Sequence, residues 1–154
     1  MNRSLILILV FMVLSALVAA EAIQLLDFGE LVSALTLGEE VRVVAHYGEC
    51  QLISGNDIKE RAPDAVGGMV IDVFEYFAPQ SIGNQEAFLV FSHSSLINYG
   101  GFIYNYVKFK VSEDNQVKIT AQYANARDFN LEMDENFFSE INNGQNQGAI
   151  YFYK

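Results

Sequence analysis

The sequence is short of cysteine, tryptophan and positive charge, and each shortage removes a class of explanation. One cysteine, Cys50, stands in 154 residues, so no internal disulfide can form and stability has to come from an apolar core. Its thiol is then either a free thiol, buried or reactive, or one half of an intermolecular disulfide. There is no tryptophan, so twelve Phe and eight Tyr supply the bulk of any core. Nine Lys and Arg face nineteen Asp and Glu, a formal net charge of −10. Nucleic acid is thereby excluded as an expected partner, because a phosphate backbone is held by clustered cations that release counterions. Lys108, Lys110 and Lys118 stand isolated among acids and aromatics. The same charge opposes docking on an anionic membrane surface.

Only one long apolar run is present, at the start. Arg3, the unbroken stretch Leu5 to Leu14 and the small residues Val18-Ala19-Ala20 before Glu21 form the three regions of a secretory signal. The expectation is a signal peptide over residues 1–20 and a single domain over 21–154, secreted to the extracellular space, or periplasmic or exported from a bacterium. Removing Arg3 with the signal leaves eight basic residues against nineteen acidic ones, or −11. No later stretch is long and apolar enough to span a bilayer, so no membrane association is expected after cleavage. The single Asn-x-Ser/Thr match, Asn2-Arg3-Ser4, falls within the signal.

Hydrophobic period organises the remainder. Leu25, Phe28, Leu31, Val32 and Leu35 recur at three- and four-residue spacing on one helical face, with Asp27 and Glu30 as a capping pair and Gly38 as a stop. The period then shortens to two. Strands are expected at Val41 to Tyr47, Gly68 to Phe77, Ala87 to Phe91, Phe102 to Val111, Gln116 to Tyr123 and Ala149 to Tyr153. Glu113-Asp114-Asn115 reads as a hairpin turn, Ser54 to Gly68 as a long exposed loop, and Asp134 to Gly144 as a short helix with acids at its start and Gly at its end. The expected fold class is α+β: an N-terminal amphipathic helix packed on a curved, mainly antiparallel sheet or partial barrel of about six strands.

Two stretches carry residues suited to catalysis. His46 and Cys50 lie four apart in "VVAHYGECQL". On one extended strand they would be about 13 Å apart, too far for proton transfer, and a turn at Gly48 would bring them closer. Glu49 beside Cys50 disfavours a thiolate, and two histidines with one cysteine match no recognised zinc spacing. In "VFSHSSLINYGG", Ser92 and His93 are adjacent, which on a strand sends them to opposite faces. The nucleophile elbow G-x-S-x-G is absent. This reading makes the segment a strand ending at Phe91, followed by a hydroxyl-rich turn. The acids from Glu132 to Glu140 lack the spacing of a calcium loop and read as a solvated face.

The ordered segments "LLDFGELVSALTLGEEVRVVAHYGECQL", "FEYF", "AFLVFSHSSL", "YNYVKFKVSEDNQVKIT" and "GQNQGAIYFY" resemble the VirK family of small exported proteins. The family has no established biochemical activity, so the resemblance implies export and a fold neighbourhood. It also implies a second cysteine just before the final strand, where this chain reads "INNGQNQGAIYFY"; that partner is absent, which leaves Cys50 unpaired. The functional expectation is a secreted non-enzymatic domain that binds a partner protein or a small apolar ligand, as a monomer or a Cys50-linked dimer, with no cofactor and no metal. The alternative is a secreted hydrolase or redox enzyme using Cys50 or the Ser92/His93 region.

Overall fold

The computed structural model describes residues 22–154 apart from 55, 56 and 60. The expected signal peptide lies outside the described residues. Two antiparallel sheets face one another. The smaller contains β1 (Gln24–Leu25), β2 (Arg42–His46), β5 (Val66–Val70) and β11 (Ile150–Tyr153) in the order β1-β11-β2-β5. The larger contains β3 (Gln51–Ser54), β4 (Asp57–Ile58), β6 (Phe74–Phe77), β7 (Phe88–Asn98), β8 (Phe102–Ser112), β9 (Gln116–Asn125) and β10 (Leu131–Glu140) in the order β4-β3-β10-β9-β8-β7-β6.

The single helix among the described residues, α1 (Phe28–Thr36), is where the periodicity placed it. The Asp27 carboxylate accepts from the Glu30 amide at 2.8 Å, and Glu30 in turn accepts from the Leu26 amide at 2.8 Å. The first satisfies a donor that the opening helical turn leaves free, and the second ties the residue before the cap back onto the helix. Gly38 takes φ +79°, the left-handed conformation that ends a helix, and its amide meets the Leu35 carbonyl. A long-range contact completes the cap: the Phe28 amide donates to the side chain of Asn115 in the β8–β9 turn at 2.8 Å.

The fold class expected from the sequence is corrected. The molecule is mainly β, a pair of antiparallel sheets and no closed barrel, and its nine-residue helix is an accessory at one end of the core. Three local readings change with it. Asp134 to Gly144 holds no helix, because residues 131–140 form β10, paired on both sides. β7 does not end at Phe91 but runs on through the Ser/His stretch to Asn98. Gly68 to Phe77 is two strands, one in each sheet, separated at Ile71–Val73. Lys110 and Lys118, isolated in the sequence, are direct cross-strand neighbours.

The core lies between the sheets. Leu25, Val43, Ala45, Ile150 and Phe152 of the small sheet are buried against Leu89, Phe91, Phe109, Val111, Val117, Ile119 and Phe137 of the large one, with Phe28, Leu31 and Leu35 of α1 closing the cluster. Phe91 and Phe109 stack at 4.9 Å, and Phe152 meets Phe91 edge-on across the sheets at 6.3 Å. Each such ring contributes about 1.5–3 kcal/mol by leaving water.

Candidate functional site

Cross-strand register sorts the inner face of the large sheet into rows, and their composition changes along the strands. One row is Phe91, Phe109, Ile119, Phe137 and Leu52, all apolar and all covered. The next is His93, Val107, Ala121, Glu135 and Ser54; beyond it come Ser95, Asn105, Tyr123 and Met133. These residues share a face because strand side chains alternate with period two. The first of these rows is fully covered; of the others Ala121 is buried and Val107 and Met133 pack against the core, while His93, Ser95, Asn105, Tyr123 and Glu135 stay half-buried or exposed.

The second and third rows floor a cleft of about 440 Å³. Its wall is the edge of the small sheet, from Pro63 through Ala65, Gly67 and Gly68 to Met69, with the Tyr47 ring beside it. Tyr47 is set by the single 3-10 turn Tyr47–Glu49 that follows β2, and packs edge-on against Phe137 at 4.9 Å. Gly67 makes room for that ring, since a Cβ there would come within 2.9 Å of it. Burial, then the neighbouring Cys50 and Tyr123, raises the Tyr47 phenol above its ordinary range, so it remains a hydrogen-bond donor at neutral pH. His93 is exposed, and Ser95, Asn105, Tyr123 and Glu135 are half-buried along the cleft. Their polar groups line the cleft, with the Tyr123 ring set against that of Tyr99 at 6.1 Å.

The residues singled out in the sequence do not converge. His93 lies on the cleft floor while Ser92 projects from the opposite face of β7, in a cross-strand row with Lys108 and Thr120. Cys50 precedes β3, separated from β7 by β10, β9 and β8, about 19 Å at ordinary strand spacing. His46 does approach Cys50, but through its carbonyl: the thiol donates to it at 3.4 Å. The His46 imidazole turns instead to Glu49, at 3.9 Å, and to the ring of Tyr151, at 5.2 Å. Burial, reinforced by the charge of Glu49 and partly offset by a hydrogen bond from Ser139, pushes the Cys50 thiol up to about 11. A thiol so held is protonated at neutral pH, the opposite of an activated nucleophile. No group of three or more His, Cys, Asp or Glu side chains among the described residues is placed to hold a metal ion.

The family follows from comparison of the chain with known proteins, in which residues 24–129 match the model described as VirK protein. The chain belongs to the VirK family. The crystal structure of lpg1832, a VirK family protein from Legionella pneumophila, superposes with a TM-score of 0.64 at 14% sequence identity, covering 86% of this chain and 100% of the other. At that identity the likeness is one of fold. No curated protein matches the chain. The matched VirK segment contains Cys50, β7 and β8 and ends at residue 129, so Met133, Glu135 and Phe137, which close one side of the cleft floor, lie beyond it.

His93 stands out in the sequence as a catalytic candidate beside Ser92, and Glu135 reads as part of a solvated acidic face, but their shared cleft is not legible there because its signal is one of interruption. His93 and Ser95 break the apolar pattern of β7, and Glu135 that of β10. A half-polar face has no distinctive period unless the register of its neighbours is known.

Proposed function

We propose that this VirK-family protein is an exported, non-catalytic binding domain that captures its ligand in the cleft between the edge of the small sheet and the half-polar rows of the large one. The observation that carries the reading is the change along those rows from buried Phe and Ile to half-buried or exposed His93, Ser95, Asn105, Tyr123 and Glu135. Binding sites combine an apolar lining with a few polar groups that fix orientation. Met69, Val107, Met133 and Phe137 supply the apolar part here. The apolar run and small-residue boundary at residues 5–20 support export.

Native mass spectrometry of the protein purified from its own source tests the reading. The expected result is a mass excess that disappears on mild denaturation and is missing from a Ser95→Trp variant. Ser95 is half-buried and faces the cleft, so an indole there fills the ligand's space without entering the core. The melting temperature of the variant should stay close to that of the parent. A parent that carries no extra mass, and an indole variant that binds every small-molecule or peptide probe as the parent does, would defeat the proposal.

A further inference from the structure

The wall of the cleft is an unpaired strand edge. β5 ends the order β1-β11-β2-β5 and, among the described residues, pairs with β2 alone. The Tyr47 amide donates to the Ala65 carbonyl at 2.9 Å and the Ile71 amide to the Val41 carbonyl at 2.8 Å. These bonds fix the phase of the ladder, so Gly67 and Met69 face β2 and Val66, Gly68 and Val70 turn their N–H and C=O groups to the open side. Gly68 itself lines the cleft. The edge therefore looks along the cleft, with the large sheet as its floor.

Most exposed edges are blunted by lysine, proline, a bulge or brevity. β1 is two residues long and β6 carries Glu75. β5, with the sequence VGGMV and an unbroken register, has none of these devices.

We infer that the ligand of the cleft is an extended peptide segment of another protein, added to the small sheet as a further strand beside β5. This rests on the reading of the cleft as the binding site and names what occupies it. The edge repeats its donor and acceptor every second residue, about 7 Å apart, a spacing that a peptide backbone matches along its whole length. Alternate side chains of the added strand would descend on Tyr123 and Met133, where apolar ones fit. Among the described residues, Glu135 is the sole acidic one on the floor and the chain carries −10, so a basic side chain among the apolar ones suits that end. A second copy of this chain suits the edge poorly. Its own large sheet would have to enter the space that this one already occupies beneath β5, and the two like net charges repel.

The test uses a random peptide library displayed on phage, selected on the purified full chain, with the selected peptides then synthesised and added to 15N-labelled protein. Peptide addition should slow hydrogen exchange at the amides of Val66, Gly68 and Val70, which face solvent in the free protein. Val66→Pro removes one outward donor and spares the ladder to β2; it should weaken binding about tenfold, the worth of one hydrogen bond, while Val66→Ala stays within about twofold. Peptides that shift Tyr123 and Met133 but leave the edge amides unprotected and ignore Val66→Pro would overturn the strand proposal and leave the cleft intact. If no peptide is selected, the strand proposal is overturned; if the neutral dye Nile red also leaves Tyr123 and Met133 unshifted, the cleft reading falls with it. Edge protection that rises with protein concentration alone would make a second copy the occupant and overturn the proposal.

Discussion

Cys50 shows how little a residue's type says of its role before its surroundings are known. It is 8% exposed, its thiol donates to a backbone carbonyl, and Ser139 across the strand pair is its polar neighbour. The Ser139 hydroxyl also accepts from the amide of Ala149 at 2.9 Å, so Cys50 sits close to the segment before the final strand, the place where the family resemblance implies a second cysteine. Here that segment is tied by asparagines: Asn142 donates to the Gly148 carbonyl at 2.7 Å and Asn146 to the Ile141 carbonyl at 2.8 Å. Two outcomes follow for Cys50. Iodoacetamide at pH 8 should leave it unmodified in the folded protein and alkylate it fully in denaturant, read by intact mass. Its thiol is raised from 9.0 to about 11 in the fold, so the unfolded chain loses the proton first. The contribution of this thiol to stability is therefore fully present below about pH 9 and is lost as pH rises through about 11. Melting curves at increasing alkaline pH should fall more steeply for the parent than for Cys50→Ser.

At the scale of elements, legibility depended on whether a segment's neighbours could be guessed. α1 was readable to within a turn because a cap, a stop and a 3.6-residue stripe are all local. Asp27→Ala removes that cap and should cost about 1 kcal/mol, measurable as a shift in urea midpoint with an unchanged slope. The β8–β9 hairpin was readable for the same reason. β10 was not, because "MDENFFSE" places acids where a helix start would have them, and only pairing with β3 and β9 gives Met133, Glu135 and Phe137 a common face. The extension of β7 past Phe91 was hidden in the same way. Both failures fall on cleft residues, where polar side chains interrupt an otherwise apolar face.

At the scale of the whole molecule, two sheets of unequal strand length explain both the core and the cleft. Where four strands cover seven, the rows are apolar; in the next two rows His93, Ser95, Asn105, Tyr123 and Glu135 bring in polar groups, before Ile97 and Ile103 restore an apolar pair. Sequence reading gave one sheet in place of two, because the break at Ile71–Val73 between β5 and β6 carries no proline or glycine to announce it. The chain's −10 charge spreads over surfaces that the fold sorts unevenly. Lys108, Lys110 and Lys118 gather on the outer face of the large sheet, with Lys110 over the Phe88 ring at 4.5 Å and Lys118 over Phe138 at 5.6 Å. The joint between the sheets is concentrated in few side chains. Phe152 is fully buried and touches Phe91 across the gap, so Phe152→Ala should cost about 3–5 kcal/mol in denaturant unfolding.

The position of β11 has a consequence for when this protein can exist at all. It lies between β1 and β2, joining Gln24 and Leu25 on one side to Arg42 through Ala45 on the other. Until residues 150–153 have been synthesised, the two earliest strands have no common partner and the apolar face of α1 has only half a core to close upon. The order of synthesis thus puts the large sheet first: β6 to β10 can pair as they emerge, while the small sheet waits for β11, its link between β1 and β2.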